Sequence, residues 1–102
     1  MLSALEEDTL TLLENRSAYG LEIIQVIAEL RQEAIAQGTL YPILKKLEDK
    51  DLVATKWGNS TVGARRKYYK ITSSGKKALS EQRNYRQRLS EWSSNAAVSV
   101  CG

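Results

Sequence analysis

Gly38-Thr39-Leu40-Tyr41-Pro42-Ile43-Leu44-Lys45-Lys46-Leu47-Glu48 is the stretch whose reading decides the fold. Leu40, Ile43, Leu44 and Leu47 recur at i, i+3, i+4 and i+7, the spacing that lines up side chains along one side of an α-helix. The opposite side carries Gly38, Pro42, Lys45 and Asp49, with Thr39, Tyr41 and Lys46 on the shoulders. Such a helix buries one face and shows hydroxyls, lysines and a bare glycine backbone on the other. Pro42 lacks an N–H and belongs in the first turn or two, where it stiffens the helix end.

Outward from this segment, the spacing predicts a helix over about 5–14 on Leu5, Leu12 and Leu13, with Glu6, Glu7 and Asp8 in its first turn. Ser17 is a candidate N-cap for a second helix from about Ala18 to Arg31, built on Gly20, Ile23, Ile24, Ile27 and Leu30. Residues 32–36 form the turn into the third helix, about 37–50. Asp51-Leu52 ends that helix, and the period changes to two. Val53, Thr55 and Trp57 alternate with Ala54 and Lys56 as a strand, and 58–63 is a connector rich in turn residues. A partner strand spans about 65–72, with Lys67, Tyr69 and Ile71 on one face. Two strands alone are marginal in water, so this hairpin must lean on the helices. Thr72 or Ser73 caps a last helix over about 73–93, with Leu79, Tyr85, Leu89 and Trp92 among basic residues. The remaining residues, 94–102, read as a flexible tail.

Composition narrows the function. The chain has 102 residues, 42% apolar and 26% charged, enough for one small soluble domain. There is no histidine and one cysteine, Cys101. These residues cannot assemble a structural zinc site, the usual nucleophile–base pairs or an internal disulfide. With no glycine-rich phosphate loop, the chain is not expected to be an enzyme or to need a cofactor. No apolar run approaches the ~18 residues of a membrane span, and the N-terminus lacks the pattern of a secretory signal. A cytoplasmic location is expected. Charge is divided unevenly: residues 1–51 hold five Lys/Arg against ten Asp/Glu, and 52–102 hold ten against two. A half-chain with a balance of +8 suits nucleic acid or an acidic surface.

The order helix, helix, turn, helix, strand, connector, strand, helix is that of a winged helix-turn-helix: mainly α with a small β-hairpin, plus a C-terminal helix. The motifs Gly38-Thr39-Leu40-Tyr41-Pro42, Leu44, Leu47-Glu48, Leu52-Val53 and Tyr68-Tyr69-Lys70-Ile71-Thr72 with Gly75 resemble the PadR family of transcriptional regulators, over about residues 5–92. In the family a Ser often stands where this chain has Ala36, so the third helix here relies on Thr39 for capping or frays. Leu21 replaces the tyrosine of the family's common Gly-Tyr-Glu. The chain resembles the shorter branch, with one C-terminal helix.

The third helix is then the candidate recognition helix for double-stranded DNA. Thr39 and Tyr41 can donate to phosphates or base edges, and Lys45 and Lys46 can pair with phosphates or guanine. The alternative is that both lysines form a solvated face and Tyr41 packs on the core. Arg65, Arg66 and Lys67 can reach an adjacent minor groove or backbone, or simply form a solvated basic hairpin. Tyr19 can touch a phosphate near the start of helix 2. Trp57 and Tyr69 are expected to pack between wing and helices. The resemblance implies a homodimeric repressor on a palindromic operator. Residues 1–72 would bind DNA and 73–93 would dimerise through Tyr85, Leu89 and Trp92, together with Leu2 and Leu5. Trp92 either fills the subunit interface or lines a site for a flat aromatic effector. A competing reading is a protein-interaction module that binds no DNA.

Overall fold

The first helix begins where the sequence supplies a complete capping box. Ser3 Oγ accepts from the backbone N–H of Glu6 at 3.2 Å, and Glu6 Oε1 accepts from the backbone N–H of Ser3 at 2.8 Å. Two helix-end donors are thereby satisfied together. The computed structural model describes residues 1–59 and 65–101. In order they form α1 (Ala4–Leu12), β1 (Ala18–Tyr19), α2 (Gly20–Arg31), α3 (Gln37–Asp49), β2 (Val53–Asn59), β3 (Arg65–Ile71) and α4 (Ser73–Cys101). The arrangement is a winged helix-turn-helix with a long final helix, as the order of elements implied.

The sheet differs from the expected hairpin. It has three antiparallel strands in the order β1-β3-β2. Ala18 and Tyr19, expected as the first turn of helix 2, instead pair with Tyr69 and Tyr68. Ala18 is fully buried, and the Tyr19 ring meets Tyr68 edge-on at 5.7 Å. This pairing holds the segment extended, so α2 starts at Gly20 with Tyr19 at its N-cap and Ser17 takes no capping role. The third strand is also what steadies β2 and β3. Their register runs from Val53 opposite Ile71 to Asn59 opposite Arg65, so Gly58 and Asn59 belong to the strand rather than the connector. The remaining connector residues, 60–63, lie outside the described residues.

The core is one cluster under the sheet, with Leu10, Leu13, Ile23, Leu40, Leu44, Leu47, Val53 and Leu79 almost wholly buried. The apolar face of α3 is therefore the predicted one. Leu30 departs from expectation. It is 76% exposed on the last turn of α2, which ends one residue later at Arg31, with Gln32 in the left-handed conformation. On α1, Leu10 and Leu13 rather than Leu5 and Leu12 are fully buried.

The last helix is longer than expected. Thr72 Oγ1 accepts from the Gly75 N–H at 3.0 Å and caps it. It continues past 93 to Cys101, through the segment expected to be a flexible tail. No glycine or proline interrupts the chain between Gly75 and Gly102, so no stop signal falls near 93. Its first turns are part of the core through Leu79, and its middle is fastened to the N-terminus. Gln82, 5% exposed, accepts from Leu2 N–H at 2.7 Å and donates to Leu2 O at 3.1 Å. Arg83 donates to both oxygens of Glu14, at 2.8 and 3.0 Å, and Arg86 pairs with Glu7 at 3.0 Å. Beyond these staples α4 projects from the domain, and the molecule is 66 Å long against 30 and 21 Å.

Candidate nucleic-acid interface

The outward face of α3 is formed as its sequence required. Gly38, Thr39, Tyr41, Pro42, Lys45 and Lys46 are all exposed. Ala36 occupies the N-cap with no side-chain hydrogen bond, so the first turn is closed only by backbone bonds from Thr39 and Leu40 to Ala36 O. Pro42 lies in the second turn and cannot donate to the carbonyl four residues earlier, which is Gly38. A Cβ built on Gly38 would meet nothing within 4 Å. Space at Gly38 is thus not demanded by this chain's own packing.

Tyr41 is neither fully packed nor fully solvated. It is 40% exposed, yet its ring lies on Gly20, where an added Cβ would fall 2.6 Å from Tyr41 Cε1. A side chain at position 20 would push Tyr41 off the start of α2. The contact joins the N-terminal ends of α2 and α3.

The basic residues divide into two groups. Lys45 donates to Asp49 at 2.9 Å along α3. Lys67 donates to Glu48 Oε1 at 3.1 Å, while Glu48 Oε2 accepts from Thr55 Oγ1 at 3.1 Å. Glu48 thus ties α3 to both wing strands, and Lys67 is a bridge rather than a free cation. Arg65 and Arg66 make no ion pair among the described residues. Arg66 lies over the Tyr19 ring at 4.3 Å and Arg65 over Trp57 at 5.4 Å. Lys46 is exposed and near the buried carboxylate of Glu6.

Between wing and helices runs an open groove of about 560 Å³ lined by Tyr19, Gly20, Leu21, Tyr41, Trp57, Arg65, Arg66, Lys67 and Tyr69. The structure therefore brings together Tyr19, Tyr41 and the wing cations, and sets Thr39, Lys45 and Lys46 on the outer face of α3. Tyr69 is buried as expected. Trp57 is not: it is 55% exposed on the wall of that groove. Leu2 and Leu5 pack partly against the core, with Leu2 ahead of α1, whereas Tyr85, Leu89 and Trp92 are exposed along α4. The Glu48 bridge was not among the readings of the sequence. Its one available clue was the position of Glu48, one residue beyond Leu47 and turned toward the strand that follows.

Three carboxylates have their pKa lowered. At Glu14 the cause is the hydrogen bond from Arg83, and at Glu48 it is the one from Lys67, in both cases against a smaller cost of burial. At Glu6 burial raises the value, but the Ser3 hydrogen bonds with Lys46 and Lys50 nearby outweigh it. A carboxylate with a folded pKa below its ordinary 4.5 stabilises fully above that pH and loses the contribution as pH falls through the folded value. Urea midpoints should therefore stay level above about pH 5 and drop in more acid solution. A Glu48→Gln variant should start lower and lose less on acidification.

A family model for the transcriptional regulator PadR-like family matches residues 9–81. The chain belongs to the PadR-like family of transcriptional regulators. Among similar solved structures is a PadR-like transcription factor from Bacteroides fragilis, 40% identical, with 85% of this chain and 84% of that one covered and a TM-score of 0.78. A PadR family transcription regulator from Clostridium difficile is 31% identical over 87% and 93% of the two chains, at a TM-score of 0.76. PadR of Bacillus subtilis, solved in complex with operator DNA, is 28% identical over 78% of this chain and 46% of that one, at 0.71. PadR-like proteins are transcription factors rather than enzymes. Among the described residues no helix is long and apolar enough to cross a membrane, and no group of His, Cys, Asp or Glu is placed to hold a metal ion.

Proposed function

We propose that this PadR-like chain is a sequence-specific DNA-binding regulator that acts as a homodimer, represses transcription from a palindromic operator and works in the cytoplasm. The observation that carries the reading is the pairing of two surfaces. The exposed face of α3 offers Gly38, Thr39, Pro42, Lys45 and Lys46 to a major groove, and the adjoining wing offers Arg65 and Arg66 without carboxylate partners among the described residues. The operator complex of the Bacillus subtilis relative supports it. Dimerisation rests on Tyr85, Leu89 and Trp92, at i, i+4 and i+7 from the fastened middle of α4 into the part that leaves the domain, with 40%, 49% and 69% of each exposed. A two-fold pair would set its recognition helices about 34–36 Å apart.

Gel-shift titration of the duplex upstream of the protein's own gene, against scrambled competitor, tests the reading. A dimer mass with preference for that duplex is expected; equal binding of both duplexes, or none, overturns it. Gly38 gives a sharper check. Because its Cβ position is open, Gly38→Ala should stabilise the free protein by up to about 0.5 kcal/mol, the low end of the helix-interior gain since Gly38 is in the first turn, while operator affinity falls. Thermal melts and gel shifts on one preparation read both effects.

A second reading concerns Trp92. Its exposed indole offers a flat aromatic effector a stacking surface at the subunit boundary. Fluorescence quenching by planar aromatics in a Trp57→Phe variant, with duplex release as the second readout, tests it.

A further inference from the structure

We infer that Trp57 belongs to the DNA site, where its ring holds the face of the Arg65 guanidinium and its exposed edge packs against a deoxyribose of the strand whose phosphate Arg65 binds. The inference rests on the functional reading above and adds a residue that reading does not use. A guanidinium stacked on an aromatic face is attracted by the ring, yet all its N–H groups lie in its own plane and stay free to donate. A guanidinium paired with a carboxylate has those donors engaged and its charge neutralised.

Both arrangements occur in this molecule. Arg83, Arg86 and Arg31 are spent on Glu14, Glu7 and Asp8, and all three fasten helices. The two wing arginines rest on Trp57 and Tyr19. They are therefore oriented without being neutralised, the state in which an arginine is ready for a phosphate.

Position supports the assignment. Trp57 lies in register with Lys67, and the next two pairs of the same ladder are Gly58 with Arg66 and Asn59 with Arg65. Its indole thus sits at the base of the arm that carries both arginines, on the wall of the groove facing Tyr41 of α3. The core leaves this large apolar ring 55% exposed. The occupant suited to an open groove with an aromatic wall and two cations that make no ion pair among the described residues is one sugar–phosphate strand: anionic at each phosphate and apolar at each sugar face.

The test uses the full chain with Trp92→Phe, which leaves Trp57 as the sole tryptophan; because Trp92 is also assigned to the subunit interface, the variant's dimer mass and operator affinity are measured against the unaltered protein, and a Trp57→Phe chain that keeps Trp92 alone gives the background signal. On titration with operator duplex, Trp57 emission should change and its acrylamide quenching constant should fall severalfold, saturating with the gel shift. In a second arm, Trp57→Ala should weaken operator binding about fivefold, the scale of an exposed cation–π contact. Trp57→Phe, which keeps a ring, should lose less. Unaltered melting temperature of both variants guards against misfolding. Binding that leaves Trp57 fully open to acrylamide, or a Trp57→Ala protein with unchanged affinity, overturns the inference while the functional reading stands. Failure of the unaltered protein to bind any duplex overturns both.

Discussion

Gly75→Ala is expected to destabilise the protein by about 3 kcal/mol, the upper part of the range for forcing extra atoms into a packed site. Gly75 is buried in the first turn of α4. A Cβ there would fall directly onto the carbonyl oxygen of Leu52 and 2.7 Å from Cγ1 of Ile71. The first neighbour is backbone and cannot swing away. That carbonyl already accepts from Thr72 N–H at 3.1 Å, and Thr72 Oγ1 donates to Asp51 O at 2.7 Å. One added methyl would therefore disturb the end of α3, the start of β2 and the cap of α4 together. Relief requires either α4 to lift or Asp51, already at φ 60°, to move. Urea unfolding of both proteins at equal concentration measures the loss. A difference below about 1 kcal/mol would show that the junction yields, contrary to the packing described.

Operator affinity should fall roughly 10³-fold between about 50 and 200 mM salt, as expected for six or more phosphate contacts per dimer. Arg65→Ala with Arg66→Ala should reduce the slope of log K against log salt by about two for each subunit's arm engaged, and Lys46→Ala by about one. Lys67→Ala should act differently. Its ammonium is held by Glu48, so its loss should weaken binding through a displaced wing and leave the slope nearly unchanged. Equal slopes in all variants would remove the arm and Lys46 from the interface.

How much of this was legible in the sequence depended on the range of the interactions involved. The recognition helix was readable because its period is local: Leu40, Leu44 and Leu47 are buried and Lys45 and Lys46 are outside. Tyr69 and Ile71 were readable on the inner face of β3 for the same reason. β1 was not, since two residues carry no period and their pairing is with residues about fifty positions away. Trp57 shows a subtler failure. Alternation placed it on the same face as Val53, but Val53 is buried and Trp57 is not, because a periodic pattern says which side a residue faces and not whether that side is core or open groove at that point. The wing cations were identified as a cluster, whereas their division into bridged Lys67 and stacked Arg65 and Arg66 depends on Glu48, Trp57 and Tyr19, which only the folded chain brings near.

The fastening of α4 by Gln82, Arg83 and Arg86 makes this helix a fixed boom rather than a swinging arm. In the proposed dimer such a boom acts as a ruler, and a ruler tolerates one measure. Adding a single base pair between half-sites turns one of them by about 35° around the duplex axis. A hinged connection could follow that rotation; three staples within about one turn and a half of helix leave this molecule little freedom to do so. Selectivity among genomic sites would then come from the distance between the half-sites as much as from the letters within them.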